Sequence, residues 1–464
     1  MSTHLFHSPK GEEEKHAYHT PLEQRIHQFL TPLQNYIYSQ VLASMLLLAC
    51  TIAAILWASI PSIANTYYQF TNMMIGLHIG DYVIDKSLRF WVNDLLLTIF
   101  FFVIGLEIKR ELLVGELTNH KKAMLIVFAA VGGMVIPAAI YYLLNINTPE
   151  QKGWGIPMAT DTAFALGILA CLKHRLPKGV FVFMASLAII DDIGAILVVA
   201  MFYTQTIELS PLFIAACIYV VLILINYSGF RNPAPYILIG LLFWFFIEEA
   251  GIHGTLAGIL VAFVIPSRPN KGPVKLIESL KELIHLFKKR REINPMILQD
   301  KIQHEVLEKV QKVAKQATTP LQRWENKLRL PIVLLILPCF ALVNAGIPVS
   351  VDLISHLFTD RLALGILFGL VVGKPLGVLL FSYLALTYRI GVLPSQTQFS
   401  HIVGVACLTG IGFTMSLFIT NLGFYGDAQA LLISKAAIFV GSLLAAVLGI
   451  VYLLMTTRQC VKDK

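Results

Sequence analysis

Twelve stretches of this chain, each about twenty residues long, are nearly free of charge. A helix needs about 20 mostly apolar residues to cross the hydrocarbon of a bilayer. Only helices and closed barrels satisfy their backbone there. The stretches are 40–60, 89–108, 123–144, 155–172, 179–202, 209–226, 234–248, 251–266, 330–347, 362–382, 401–420 and 430–455. Composition agrees. Of 464 residues, 56% are hydrophobic and 14% charged, and mean hydropathy is +0.70. A soluble fold of that length, about three domains, carries about 25% charged residues to cover its surface. The expected class is an all-α polytopic membrane protein with about 12 transmembrane helices. A secreted disulfide scaffold, a disordered chain and a nucleic-acid-binding domain are disfavoured.

The net charge of +8 follows one face of the membrane. With the N-terminus placed inside, 30 of the 36 Lys and Arg residues fall in loops and tails on the N-terminal side. The opposite loops hold only Lys86, Arg89, Lys152 and Arg361. Lys and Arg concentrate on the cytoplasmic side of membrane proteins, so both termini are expected there, with an even number of spans. The expected segments are a tail over 1–38, spans one to eight over 39–266, a basic cytoplasmic loop over 267–329, spans nine to twelve over 330–456, and a tail over 457–464.

The segment 267–329 carries 15 basic and 7 acidic residues. Ile302, Val306, Val310 and Val313 recur at helical spacing, which predicts a soluble amphipathic helix. Lys288 to Arg291 could touch the membrane surface, but a solvated insert is the plainer expectation. The N-terminal tail, with His4, His7, His16 and His19, reads as a solvated terminus more readily than as a weak metal-binding tail. None of the six cysteines forms a C-x-x-C pair, and most lie in apolar runs, so they read as buried apolar residues. Between the first two spans, Tyr67 to Phe70 and Tyr82 to Ile84 look strand-like and predict a short external β-hairpin.

An ionisable residue within a span costs several kcal/mol unless paired or hydrated, so each marks a candidate site. Asp191 and Asp192 fall halfway along an apolar helix. Adjacent helical residues project about 100° apart, so the two carboxylates face different neighbours. Lys374 lies 13 residues after Arg361 and 15 before Arg389, too central to snorkel easily, and a buried ammonium needs a carboxylate. Asp94 and Asp161 are further intramembrane carboxylates. Lys435 lies near a span start, where snorkelling is the expectation. His253 is either a proton site or a hydrogen-bonded structural histidine.

Two spans read as broken. Gly153 to Asp161 mixes glycine, proline and a hydroxyl residue in mid-span, and Thr409 to Ser416 mixes glycine and hydroxyl residues. Unwound backbone is tolerated only where protein or water satisfies it, and a pair of interrupted spans points to a transporter site. Half-helix ends carry partial charges, positive at N-termini and negative at C-termini. Asp161 and Lys374 have the signs to compensate such ends.

These residues resemble the NhaA-type sodium/proton antiporters. The matching segments are Asn93-Asp94, Gly105 to Leu112, Ala159 to Asp161, Leu187 to Gly194, His253 to Gly258, Asn344 to Gly346, Gly373 to Pro375 and Gly410 to Ser416. They follow the family's order from about residue 35 to 455. The resemblance implies inverted repeats with two broken helices. It implies that Asp192 is the main cation ligand and that Asp191 is a proton-carrying partner able to ion-pair with Lys374. Thr160 and Asp161 match the unwound stretch, and Asp94 matches a carboxylate of the cation pathway. Glu107, Arg110 and Glu111 match a charged cluster associated with pH response, to which His253 is added. The hairpin near 65–85 matches a homodimer contact. The long basic loop departs from the compact members of the family.

The implied function is secondary active exchange of cytoplasmic Na⁺ or Li⁺ for external H⁺ in a bacterial inner membrane, regulated by pH and electrogenic. Hard cations prefer oxygen ligands. Protons and Na⁺ compete for the same carboxylate oxygens, which couples the two flows. No G-x-x-x-x-G-K-[ST] phosphate loop is present. No enzyme activity, cofactor or nucleic-acid partner is expected; the partners are Na⁺, Li⁺, H⁺ and the bilayer. Two other classes fit less well. An intramembrane aspartyl protease needs its aspartates on two helices, one in a Gly-x-Gly-Asp motif that is absent here. A sodium-coupled solute symporter needs a larger polar pocket.

Overall fold

The computed structural model describes residues 40–79, 82–115, 118–204, 207–268, 273–291 and 301–462. The histidine-bearing tail over 1–38 and the side chains of Lys288 to Arg291 lie outside the described residues. The chain begins with α1 (Gln40–Ser59), α2 (Pro61–Thr71) and the strands β1 (Met74–Ile79) and β2 (Tyr82–Ser87). Then come α3 (Leu88–Val114) and α4 (His120–Leu144). A 3₁₀ segment, Pro149–Met158, precedes α5 (Thr162–Cys171). Next are α6 (Lys178–Phe202), α7 (Leu209–Tyr227), α8 (Pro233–Glu249) and α9 (Gly254–Val264). The insert holds α10 (Pro273–Arg291) and α11 (Lys301–Ala317). The last part is α12 (Pro320–Asn344), α13 (Val351–Thr359), α14 (Arg361–Thr387), α15 (Phe399–Thr409), α16 (Phe413–Gly423) and α17 (Ala428–Lys462).

Among the described residues nine helices are long and apolar enough to cross a membrane, and the α15–α16 pair, bent by 42°, makes ten. The other two expected spans are α8, with 17 residues, and α9, with 11. All twelve apolar stretches thus contain helix, two of them interrupted in the middle. Their outer faces carry exposed large apolar side chains, as on α7 with Leu209, Phe213 and Leu224. That is the surface a bilayer covers.

Short connections alternate between two ends of the bundle. The strands β1 and β2 pair antiparallel at one end, from Met74 opposite Ser87 to Ile79 opposite Tyr82. The insert lies at the other. Expected strand character at Tyr67 to Phe70 is corrected: these residues belong to α2, a helix with Pro61 at its start. Tyr67 explains the helix. Its ring is fully buried, and its hydroxyl donates to Val343 O at 2.9 Å and accepts from Gly346 N at 3.1 Å. Burial pushes that hydroxyl up to about 12, so it stays protonated as a donor.

The ninth span begins at Pro320, about ten residues before the expected boundary at 330, behind a Thr319–Gln322 capping box. Within the insert, Val306, Val310 and Val313 pack on Leu276, Leu280, Leu283 and Phe287 of α10, so the amphipathic helix is half of a helical hairpin. Its two ends meet: Leu321 N donates to Pro266 O at 3.3 Å.

Two further expectations are corrected. Lys435 does not snorkel; it is 7% exposed on α17, covered by neighbouring helices. The five cysteines with described side chains are not core residues; the side chain of Cys460 lies outside the described residues. Cys171 and Cys217 are exposed, and Cys50, Cys339 and Cys407 are half-buried. An apolar run does not separate a core-facing position from a lipid-facing one.

Helices α4 and α14 touch backbone to backbone. A Cβ at Gly377 would sit 2.0 Å from Gly132 O. Small residues allow such approach between membrane helices. It fixes Lys374, three residues earlier on α14, at the centre of the bundle.

Candidate ion site

The two broken spans cross where their backbones unwind. The first passes from Pro149–Met158 through the extended residues Ala159 and Thr160 to α5, which Asp161 N-caps. The second breaks at Gly410, Ile411 and Gly412 between α15 and α16. A Cβ at Gly410 would lie 2.4 Å from Leu370 O, so only glycine fits this approach. The unwound backbones satisfy each other: Asp161 N donates to Ile411 O at 2.6 Å. Ser416 Oγ donates to Ile156 O at 2.7 Å.

Like helix ends converge at this crossing, and each pair meets the opposite charge. The N-terminal ends of α5 and α16 face the carboxylate of Asp161. Oδ1 accepts from Phe164 N at 3.0 Å, and Oδ2 accepts from Thr414 N at 2.9 Å. The carbonyl ends of Pro149–Met158 and α15 face donors. Lys374 Nζ donates to Met158 O, and Thr160 Oγ1 lies 3.1 Å from Thr409 O. Aligned peptide dipoles put about half a charge at each end, so Asp161 compensates both N-terminal ends and the Lys374 ammonium compensates the carbonyl end at Met158.

Asp191 stands beside the ammonium. Its Oδ2 lies 2.9 Å from Lys374 Nζ, with both side chains at 0% exposure. The same oxygen is 2.6 Å from Thr160 Oγ1. Asp192, one residue on, turns away. Its Oδ2 has only a long contact, 3.4 Å from Thr162 Oγ1. Among the described residues, Oδ1 of Asp191 and Oδ1 of Asp192 are buried and accept no hydrogen bond. Buried carboxylate oxygens are normally satisfied. Two bare oxygens on adjacent residues can hold a proton or a hard cation.

A cleft of about 480 Å³ opens at the insert end, lined by Glu111, Val114, Lys122, Val182, Ala185 and Ser186. Seven residues bring an α-helix nearly back to the same face. Ala185, which lines the cleft, and Asp192 therefore share a stripe on α6.

The structure brings Thr160, Asp161, Asp191, Asp192 and Lys374 together. It separates the others. Asp94 is half-buried on a π-helical turn, Trp91–Leu96, with Glu248 and Lys86 as its charged surroundings. Glu107, Arg110 and Glu111 lie at the insert end of α3. His253 is at the opposite end, at the start of α9, with Nε2 3.1 Å from Tyr203 O. It is a hydrogen-bonded histidine and does not join the Glu107 cluster.

Three features escaped sequence reasoning. Arg110 Nη1 pairs with Glu325 Oε1 at 2.5 Å, tying α3 to α12. Arg110 at the end of an apolar span was the signal that a carboxylate stood near, but Glu325 had been assigned to the loop. Asn344 bridges Asn93 and Asn421, 251 and 77 positions away. Further, π-helical turns occur at Trp91–Leu96, Ile332–Ile336 and Gly369–Gly373, the last directly before Lys374. Such turns are frequent at functional sites and have no simple sequence signature.

A polytopic membrane protein with two broken helices crossing at a buried carboxylate–ammonium centre has the architecture of a secondary ion transporter. Residues 34–453 match the family model described as Na+/H+ antiporter 1, and the chain belongs to that family. It is 41% identical over 432 residues to "Na(+)/H(+) antiporter NhaA 1" of Shewanella denitrificans, covering 93% of this chain and 96% of the relative. It is 42% identical over 422 residues to "Na(+)/H(+) antiporter NhaA 2" of Psychromonas ingrahamii, with 91% and 89% covered. The antiporter NhaA of Helicobacter pylori is 40% identical over 433 residues, with 93% and 97% covered.

Proposed function

We propose that this protein exchanges Na⁺ or Li⁺ for H⁺ across a bacterial inner membrane, without ATP and without enzymatic chemistry. Membership of the antiporter family supports the exchange. The single structural observation that carries the site assignment is the pair of unpartnered buried oxygens on Asp191 and Asp192.

In this reading the cation enters by the cleft beside Glu111 and reaches Asp192 along α6. Asp192 is the main ligand. Asp191 alternates between its Lys374 ion pair and a proton. Thr160 holds the Asp191 oxygen in place, and Asp161 steadies the crossing. Asp94 serves the pathway toward the other face. If two protons leave for each Na⁺ bound, exchange moves charge and membrane voltage drives Na⁺ outward. Glu107, Arg110 and Glu111 adjust activity to pH from the cytoplasmic mouth, with Glu325 as Arg110's partner. Both termini and the insert lie in the cytoplasm, supported by the Lys and Arg asymmetry. The β1–β2 hairpin forms the contact between two copies, supported by its unpaired strand edges and the exposed Met74.

The test is proton movement in everted membrane vesicles after addition of Na⁺, Li⁺ or K⁺. Na⁺ or Li⁺ should alkalinise the vesicle lumen; alkalinisation of the lumen by K⁺ alone, or no response to any of the three, overturns the reading.

A further inference from the structure

The spans α3 and α12 run antiparallel and are tied at both ends. At the insert end the tie is Arg110–Glu325, at 2.5 Å. About 26 Å along α3, at the hairpin end, it is an amide cluster. Asn344 Nδ2 donates to Asn93 Oδ1 at 2.7 Å and to Phe340 O at 3.0 Å. Asn344 Oδ1 accepts from Asn93 Nδ2 at 3.2 Å and from Asn421 Nδ2 at 2.9 Å. Asn344 is fully buried, and these bonds use both its donors and both its acceptor lone pairs.

Asn421 brings in the third element. It lies on α16, the half-helix whose other end is held by Asp161 through Thr414 N. Between Asn421 and the crossing, Phe418 of α16 meets Phe101 of α3 with ring centroids 5.6 Å apart. An aromatic layer and an amide layer thus join α3 to α16 on the hairpin side of the aspartates. On the insert side stands the 480 Å³ cleft. The bonds of Asn93 and Asn344 fasten two long spans. The Asn421–Asn344 bond fastens the hairpin end of a half-helix that starts at a glycine break, while Thr414 N and Ser416 Oγ hold its other end to the first broken span.

We propose that the Asn93–Asn344–Asn421 cluster is the latch that shuts the ion path at the hairpin end, and that each exchange cycle requires the Asn421–Asn344 bond to open. Asn421 is then a positioning residue: it sets the balance between two conformations and touches no transported ion. The proposal rests on the exchange reading and on the hairpin end facing outward.

The apparent affinity at a face falls with the fraction of molecules open to that face. Interhelical hydrogen bonds in membranes are worth roughly a threefold shift in such a balance. The test compares the Na⁺ KM at the two faces, in everted and right-side-out vesicles from the same cells. Asn421→Ala should lower KM at the outer face about threefold relative to the cytoplasmic face. Asn421→Gln, which keeps an amide, should recover most of the ratio. Asn344→Ala should shift the ratio the same way, and the double variant no further than Asn421→Ala, because the bond is already lost. If Asn344→Ala does not accumulate, the Ala and Gln variants at 421 decide. An unchanged ratio, equal shifts at both faces, or a fall at the cytoplasmic face overturns the latch. Loss of any Na⁺ response in the unmodified protein overturns the exchange reading instead.

Discussion

The carboxylate of Asp161 accepts a hydrogen bond at 2.9 Å from the backbone amide of Thr414, 253 positions along the chain. Its other oxygen caps α5 through Phe164 N. One side chain therefore terminates two helices that are remote in sequence, and the crossing depends on it from both sides.

Removing that carboxylate uncovers two helix N-termini at once. An N-cap is worth about 1 kcal/mol and a dipole partner about 0.3–1 kcal/mol. Asp161→Ala should lower the melting temperature of the purified protein and weaken exchange. Asp161→Asn keeps one acceptor oxygen and should fall between. If both variants lose the same stability, charge and not hydrogen bonding is what the site needs.

At Asp192 the expectation is reversed: function goes and fold stays. Among the described residues its side chain's one hydrogen-bond contact is the long one to Thr162 Oγ1, at 3.4 Å. Asp192→Asn keeps the shape but cannot alternate between proton and cation. Na⁺-dependent proton release should vanish while the melting temperature stays within a few degrees. Near-normal exchange by this variant would remove Asp192 from the site.

Lys374 and Asp191 are both fully buried and 2.9 Å apart. Deleting one partner of such a pair costs about 3–5 kcal/mol, because the other is left as an uncompensated charge. Lys374→Ala should be destabilised on that scale. The double variant Asp191→Asn/Lys374→Ala should recover much of the loss, as no lone charge remains. Thermal melts of the three proteins check this; strictly additive losses would mean the two residues do not stabilise each other.

Because Leu321 N and Pro266 O meet at 3.3 Å, the insert enters and leaves at one point. Replacing residues 269–317 with a short Gly/Ser bridge keeps Thr319, the cap of α12. The shortened protein should insert and exchange Na⁺ for H⁺, with a changed pH profile at most. Complete loss of exchange in a correctly inserted protein would make α10 and α11 part of the machinery.

Much of this was legible in the chain. Twelve apolar runs gave the class, and the few charges within them gave the centre, because bilayer burial leaves so few reasons to keep an aspartate or lysine. Glycine with Pro157 marked the first break, and Gly410 and Gly412 the second. Pairings between distant residues were not legible. Nothing local to Asn421 or Glu325 says which residue it meets 77 or 215 positions away. Lys435 was misread because distance from a span end does not say whether neighbouring helices cover the side chain. Tyr67 was misread because its aromatic neighbours suit a strand, while its hydroxyl is held by the end of another span.

The closed neck of the insert separates the length of chain between α9 and α12 from the spacing of those helices. Lengthening a loop whose ends already touch costs little, about 0.6 kcal/mol per doubling. The site between Ser267 and Thr318 is therefore a natural port for grafting. A compact reporter domain whose own termini lie close together would sit there without prying the two spans apart. It would place a spectroscopic handle on the same face as Arg110 and Glu325, where a change of state in the transporter could be watched from outside the membrane.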